Sequence, residues 1–223
     1  MSRTRDDSGL AFVLQSVIFT LDIQGVRRGL VVLTTIADDK TVCPVDKVQR
    51  QYRTDRPNQL WVPDFTCVST WQGWLYVAFV IDVFARRIVS NSMKTEFVLD
   101  ALEQALYARP PEHADGLVHH SDRCSQYVSI RYTERLAESG IEPSIGSKGD
   151  SHVNALAETI NGLGKAELIH RQSWKSREAV ETAPLKWVIW RNQQRLCGSI
   201  GHITPAEAEA SFYRYQTGQV IAA

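Results

Sequence analysis

The pattern of apolar and polar positions is clearest in three short runs that begin near Leu60. The aromatic and β-branched run WVPDFTCV is followed, after the turn at Gln72-Gly73, by WLYVAFVID and then by RRIVSNSM. Three such runs with short polar gaps predict an antiparallel meander of strands. Pro63 argues against a central position for the first strand, because proline has no N–H to donate to a neighbouring strand, unless this position falls at a strand start.

Beyond residue 94 the pattern changes to helices that alternate with short strands. Apolar residues between 97 and 106 repeat with a helical period, and Pro110-Pro111 ends that helix. We expect further elements as follows: a strand over 116–120, a helix over 129–138, a strand over 141–145, a helix over 154–168 and an amphipathic helix over 176–195. Three strands followed by alternating helices and strands are typical of an α/β fold.

Length and composition indicate one main domain with appendages. A chain of 223 residues, of which 43% are hydrophobic, can bury one substantial core. We expect an N-terminal arm or linker over residues 1–59, a core over 60–172 and a C-terminal helical extension over 173–223. Residues 1–24 show no motif, whereas the rest of the arm is polar and basic.

Net charge and cysteine spacing exclude several classes of protein. The formal net charge is zero, so the chain as a whole carries no electrostatic signal for nucleic acid. Its four cysteines lie far apart, without the spacing of a zinc site or a disulfide framework. The apolar stretch 9–21 is too short to cross a bilayer. We therefore expect a cytoplasmic protein with reduced thiols and no membrane segment.

Charge is nevertheless distributed unevenly along the chain. Residues 162–200 contain seven lysines and arginines against three acidic residues, a local excess of four positive charges. A solvated helix face explains such a stretch about as well as a bound ligand does.

Three acidic residues stand out by their positions. Asp64 lies within an otherwise apolar or aromatic strand, where burial of an unpaired carboxylate is costly unless a cation compensates it. Asp122 follows the carboxyl end of a strand, which is where α/β sheets place ligands. Glu158 lies on a helix, and its face, shared with Asn154 and Lys165, is distinct from the apolar stripe.

Three converging carboxylates suit hard divalent cations such as Mg²⁺ or Mn²⁺. Two such ions about 3.5–4 Å apart can support an in-line phosphoryl displacement. For any one acid alone, a helix cap or a surface charge is the simpler interpretation. Asp82 meets the same burial argument, but Arg86-Arg87 follow it closely, so we expect a structural ion pair there.

The spacing and the words around these acids resemble a known family. Thirty-five residues separate Asp122 from Glu158, and the three blocks read LWVPDFTCVSTWQGWLYVAFVIDVFARRIV, VHHSDRCSQYVS and GSKGDSHVNALAETINGLGKAEL. Together they closely resemble the bacterial insertion-sequence transposases of the DDE transposase and retroviral integrase core family. The resemblance covers roughly residues 25–215 and includes the closing ITPAEAEASFY.

The resemblance implies a ribonuclease-H-like core with a mixed five-stranded sheet flanked by helices. It also implies metal-dependent cleavage of DNA at the ends of the element, followed by attack of the freed 3′-hydroxyl on another phosphodiester. Carried over by motif, Asp64, Asp122 and Glu158 are the catalytic ligands of two divalent cations, Mg²⁺ or Mn²⁺. The implied partners are element-end and target DNA, further copies of the chain and an upstream-frame transposase protein. The implied setting is the bacterial cytoplasm and nucleoid.

Other polar and aromatic residues have competing interpretations. Lys165 is the expected DNA contact, with Lys148 and Asn154 as weaker candidates, and a solvated surface charge is the alternative interpretation of each lysine. His119-His120 precede Asp122 and resemble metal ligands, but packing or hydrogen bonding is the preferred interpretation. We expect three tryptophans to pack in the core or at strand edges rather than to stack on bases: Trp61, Trp71 and Trp74.

The chain departs from the family pattern at several positions. Cys124 stands where the family usually has glycine, at a place that often needs a positive φ. Val153 replaces a usual aspartate that could cap the catalytic helix. Gly164 costs that helix roughly 0.5–1 kcal/mol relative to alanine, and Pro184 should kink or break the final helix. No departure removes a carboxylate, although the helix-turn-helix region expected upstream is missing, which suggests a truncated copy.

Three functions remain open from the sequence. The first is a DDE-type DNA transposase, a polynucleotidyl transferase. The second is a catalytically impaired DNA-binding remnant that regulates or poisons an intact copy. The third is a ribonuclease-H-type nuclease that hydrolyses without strand transfer. The three acids favour the first and third, and the long family words favour the first over the third.

Overall fold

A computed structural model describes residues 44–94, 96–110, 116–124, 126–146, 155–171 and 173–221. Its strands are β1 (Leu60–Thr70), β2 (Gly73–Asp82), β3 (Arg87–Ser92), β4 (Val118–Ser121) and β5 (Glu142–Ile145). Its helices are α1 (Phe97–Ala108), α2 (Ile130–Glu138), α3 (Ala155–Glu167), α4 (Arg177–Gln193) and α5 (Pro205–Ile221), with short 3-10 helices at Ile169–Arg171 and Gly198–Ile200.

The five strands form one mixed sheet in the order β3-β2-β1-β4-β5. The first three pair antiparallel as a meander, whereas β4 and β5 run parallel to β1. This architecture confirms the predicted α/β fold with a mixed five-stranded sheet. β1 is the central strand, and Pro63 is its fourth residue, so the proline near the start of the strand does not exclude a central position. The ladder to β4 pairs Leu60 and Trp61, before the proline is reached.

Alternation along β1 separates two hydrophobic cores. Val62 and Val68 point to the face covered by α3 and α4, where Trp187 and Ile160 are also buried. Trp61 points to the opposite face, against α1 and α2. Because successive side chains of a strand face opposite sides, one strand with apolar residues at both parities is covered on both faces.

The helix that contains Pro184 was predicted to kink or break. In the structure α4 is one continuous helix from Arg177 to Gln193 with Pro184 inside it, so the predicted break is wrong. Val180, Trp187 and Val188 of this helix are buried in the core beside α3. Burial of this apolar face offsets the loss of the one backbone hydrogen bond that proline cannot make.

Residues 44–59 form no helix or strand but lie against the sheet. The Lys47 N–H donates to Ser144 Oγ at 2.9 Å, and the Tyr52 hydroxyl lies 3.2 Å from His120 Nε2. Val48 and Asn58 are buried. These contacts attach the segment to the edge of the sheet formed by β4 and β5.

A buried ion-pair network attaches α5 to the core. Arg109 lies 2.9 Å from Asp82 Oδ2 and 2.6 Å from Glu209 Oε1, and Glu209 also pairs with Arg87. Asp82 therefore has the structural ion pair that was predicted, but its partner is Arg109 rather than Arg86-Arg87. Arg86 reaches the Tyr52 carbonyl instead.

Within the described ranges we find no helix that is both long enough and apolar enough to span a membrane.

Candidate active site

The pairing of β1 with β4 relates the positions of Asp64 and Asp122. The ladder joins Leu60 to Val118 and Trp61 to His119, and β4 ends at Ser121, one residue before Asp122. Continued past the end of β4, the same offset of 58 residues would place Asp122 opposite Asp64, and the Asp122 carboxylate does influence the pKa of Asp64. Parallel pairing of β1 and β4 therefore accounts for the convergence of two acids that are far apart in sequence.

Helix α3 brings Glu158 to the same place. The helix packs on β1, and the Asn161 Nδ2 amide donates to Asp64 Oδ2 at 2.6 Å. Glu158 lies in the first turn of α3, one turn before Asn161, and is exposed. Residues three apart on a helix share a face, so Glu158 lies next to the amide that contacts Asp64.

The electrostatics of the site link the three carboxyl groups. Burial raises the pKa of Asp64 to about 6; the Phe65 N–H and the Asn161 amide oppose this shift, while Asp122 and Glu158 add to it. Burial also raises the pKa of Asp122, with a further contribution from Glu158 and an opposing hydrogen bond from the Cys124 N–H. Each aspartate is therefore within electrostatic range of the other acids.

The donor set has the chemistry of a site for a hard cation. Asp122 Oδ1 and Asn161 Oδ1 are buried without a hydrogen-bond partner, and a buried oxygen acceptor of this kind is stabilised by a cation. Across the ranges that the structure describes, no group of three or more His, Cys, Asp or Glu side chains is arranged so that it could hold a metal ion. The fit to a cation therefore rests on the two unsatisfied oxygens, while Glu158 is exposed in the first turn of α3.

The two histidines before Asp122 are buried and hydrogen-bonded, as the sequence analysis predicted. His119 Nε2 lies 3.0 Å from the Tyr132 hydroxyl, and His120 Nδ1 lies 2.8 Å from Ser144 Oγ. Both rings are buried, and burial lowers the pKa of His119 to about 3. A ring with this environment is a neutral packing element of the core.

Of the candidate DNA contacts, Lys165 lies in the last turn of α3 and is partly exposed. Lys148, Val153 and Asn154 lie outside the described residues. Cys124 lies within them and does not adopt a positive φ, so the expected conformational cost of replacing glycine is absent.

The tryptophans divide into two groups. Trp61 is fully buried, as predicted. Trp71 and Trp74 are 74% and 63% exposed, so the prediction that they pack in the core or at a strand edge was wrong. Trp71 follows the last residue of β1 and Trp74 is the second residue of β2, so both lie at the β1–β2 turn.

Two residues near the carboxylates were not singled out from the sequence. Asn161 is one; its place one helical turn after Glu158 was the available signal. Tyr127 is the other: its hydroxyl is buried without a hydrogen-bond partner, and burial raises the pKa well above its usual value, with Asp64 and Asp122 contributing. Nothing in the local sequence distinguishes Tyr127 from an ordinary core aromatic.

Comparison with known proteins agrees with this geometry. Residues 54–151 match a family model described as an integrase core domain, and residues 139–205 match a second model with the same description. The chain is 58% identical over 197 residues to the transposase for insertion sequence element IS629 of Shigella sonnei, covering 86% of this chain and 65% of that protein. It is 50% identical over 208 residues to a Mycobacterium tuberculosis relative named for IS986/IS6110, covering 90% and 75%.

Solved structures show the same fold. The catalytic core domain of the HTLV-2 integrase, in complex with magnesium, aligns with a TM-score of 0.53 at 18% identity, over 70% of this chain and 98% of that one. A simian T-cell lymphotropic virus intasome chain, in a complex with a PP2A regulatory subunit, aligns with a TM-score of 0.57 at 15% identity, over 77% and 60%.

The fold and the family matches together define an integrase core domain of the ribonuclease-H-like class. More narrowly, the chain belongs to the insertion-sequence transposase family. The resemblance inferred from the three sequence blocks is therefore confirmed. The chain spans 65% of the length of its Shigella relative.

Proposed function

We propose that this chain carries the catalytic site of a DNA transposase, a DDE-type polynucleotidyl transferase. Asp64, Asp122 and Glu158 would hold two divalent cations, Mg²⁺ or Mn²⁺. The observation that carries the proposal is the parallel pairing of β1, which contains Asp64, with β4, which ends one residue before Asp122. The unsatisfied Asp122 oxygen and the packing of α3 on β1 support it. When bound, such ions activate the attacking oxygen and stabilise the leaving oxygen of a phosphodiester.

The protein's own residues would orient and hold the reacting groups. Asn161 keeps the Asp64 carboxylate in one rotamer by its hydrogen bond, so this ligand is organised before substrate arrives. Lys165, about two turns beyond Glu158, would hold a phosphate of the DNA beside the carboxylates. Lys148 and Asn154 stay weaker candidates for DNA contacts.

The wider assembly is part of the same proposal. The partners would be element-end and target DNA, further copies of this chain and an upstream-frame transposase protein, in the cytoplasm at the bacterial nucleoid. We propose residues 60–172 as the catalytic core, 1–59 as an N-terminal arm or linker, and 173–223 as a helical extension. The contacts of Arg109 with Glu209 support the close attachment of that extension to the core.

The test uses the purified chain, Mn²⁺ and labelled duplexes that carry the DNA flanking its gene. Nicked and joined products are expected. Nicks without joining would instead indicate a nuclease, and binding without either product would indicate the DNA-binding remnant.

Variants assign the chemistry to the carboxylates. Asp64→Asn and Glu158→Gln should abolish nicking and joining while leaving DNA affinity nearly unchanged. Glu134→Gln is the matched control for Glu158→Gln, because both are exposed helix glutamates and Glu134 lies on α2. An Asp64→Asn protein that still cleaves would remove the catalytic assignment.

A further inference from the structure

Two large aromatic rings at one turn of the sheet are exposed to solvent without an evident packing role. Trp71 is 74% exposed and Trp74 is 63% exposed. Alternation along β2 places Trp74 on the same face as Tyr76, which stacks on Phe97 of α1. Exposure of a tryptophan forfeits the free energy of burying its ring, so the position of each ring calls for an explanation.

Trp71 lies on the other side of the turn, against the segment that follows α3. Its N–H donates to the Trp174 carbonyl at 3.1 Å, and Lys175 Nζ lies 6.0 Å from the centre of its ring. Trp174 itself is buried, and its Nε1 donates to the Ile169 carbonyl at 3.1 Å. The hairpin turn is thus anchored to a rigid part of the core, and the cation covers only one face of the Trp71 ring.

Three cations lead from the carboxylates toward this ring. Lys165 lies in the last turn of α3, Arg171 ends the 3-10 helix, and Lys175 lies over Trp71. Among the residues that the structure describes, none of these three cations has a carboxylate partner. The nearby Glu167 is instead occupied by Arg195 and by the Trp187 Nε1. We call the set Lys165, Arg171, Lys175 and Trp71 the basic strip.

The length of the basic strip suits an extended ligand. From Asp64 in β1 to Trp71, the residue after the end of β1, there are seven residue steps, and at a strand rise of about 3.4 Å per residue they give roughly 24 Å from the carboxylates to the far end of the strip. That is about seven nucleotide steps of a B-form strand at about 3.4 Å each. A ligand that reaches both ends of the strip is therefore a polymer, and the unpaired positive charges favour a polyanion.

We propose that the basic strip binds a single strand of DNA, with its phosphates on Lys165, Arg171 and Lys175 and an unpaired base stacked on Trp71. The inference rests on the proposed function, which makes DNA the substrate, and adds a contact remote from the carboxylates. Aromatic rings beside cations bind single strands without sequence preference, because every base has a face for stacking. Paired bases inside a duplex offer no free face to Trp71, so the site discriminates between the two forms of DNA.

The experiment titrates the full chain in EDTA, so that nothing is cleaved, with labelled oligothymidine of about 16 nucleotides, the upper site size of common single-strand-binding domains. The same protein is titrated with a duplex of equal length. Trp71→Ala should weaken single-strand binding by about tenfold and change duplex binding by less than about twofold. Trp74→Ala is the matched control and should leave both affinities unchanged, since its ring lies on the opposite face.

Salt dependence tests the cations separately. Lys175→Gln should reduce the slope of log affinity against log salt concentration by about 0.7, the contribution of one phosphate contact to a single strand. Trp71→Phe, which retains a ring and carries no cavity risk at this exposed site, should bind between wild type and Trp71→Ala. An unchanged slope for Lys175→Gln removes that lysine from the strip.

Three outcomes would overturn the proposal: equal losses for Trp71→Ala and Trp74→Ala, equal losses for single strand and duplex, or no single-strand binding by the wild type. A change in oligomeric state on Trp71→Ala without a change in DNA affinity would identify a protein interface instead. The proposed function is tested separately. A chain that binds single strands through Trp71 but never nicks DNA would support this inference and contradict the proposed enzymatic activity.

Discussion

The Asn161 side-chain amide donates a hydrogen bond of 2.6 Å to the Asp64 carboxylate, across 97 residues of sequence. This contact joins the central strand to the helix that carries Glu158. It orders the most buried of the three acids and opposes the effect of burial, which raises the pKa of that acid. Because the amide donates with Nδ2, its oxygen is left buried and without a partner beside the carboxylates.

Asn161→Ala should lower Mn²⁺-dependent nicking by about 10- to 100-fold, since residues that orient metal ligands typically contribute that much to metal affinity or activity. Thr159→Ala is the control, because Thr159 lies on the same helix and is exposed. Two quantities are measured for each variant: the nicking rate, and the Mn²⁺ concentration that gives half of the maximal increase in melting temperature. Normal values of both in Asn161→Ala would show that the hydrogen bond does not organise the site.

Gly164→Ala should stabilise the protein by roughly 0.5–1 kcal/mol, because alanine favours the helix and no positive φ is required. An added Cβ would lie 3.5 Å from Trp187 Cη2, an ordinary van der Waals contact. Gly162→Ala is matched to it, with the same helix but open space around the new Cβ. Free energies of unfolding in urea compare the two, and a Gly164→Ala protein less stable than Gly162→Ala would show that the Trp187 ring cannot accept the methyl group.

Arg109→Met should destabilise the fold by about 3–5 kcal/mol, since it leaves two buried carboxylates, Asp82 and Glu209, without their shared cation. Arg131→Met breaks an exposed pair with Glu96 and should cost no more than about 1 kcal/mol. Equilibrium unfolding of both variants gives the comparison. Similar small losses would mean that the network contributes little to holding α5 on the core.

Acidification should destabilise the protein through His119, whose pKa burial lowers from 6.5 to about 3. Between these two values the unfolded chain binds a proton that the folded chain does not, so stability falls as the pH falls below about 6.5. His119→Gln, which cannot titrate, should show a shallower dependence by up to about 1.4 kcal/mol per pH unit. Unfolding free energies from pH 7 to pH 4 test this, and parallel profiles for the two proteins would contradict it.

The positions of the strands and helices could be predicted because their signals are local. Alternation near Leu60 and the helical period after residue 94 locate β1 to β3 and α1 within a few residues. Two residues were also poor local predictors of structure. Pro63 lies in the central strand and Pro184 inside a continuous helix, because pairing and burial outweigh the propensity of one residue.

The partners of individual side chains could not be predicted in the same way. Asp82 has two arginines close to it in sequence, yet it pairs with Arg109, 27 residues away. Trp71 and Trp74 are large aromatic residues next to buried strands, yet both rings are exposed. Such outcomes depend on which elements cover which part of a face, and no window of sequence contains that information.

The sequence by itself determined the α/β element order, the family and the identity of three acidic residues with their characteristic spacing. Tertiary structure alone decided that the strands next to Asp64 and Asp122 pair in parallel, that Asn161 contacts Asp64, and that Trp71 is exposed beside Lys175. The physical reason is one of range. Backbone periodicity is set by neighbours along the chain, whereas contact, burial and electrostatic coupling are set by neighbours in space.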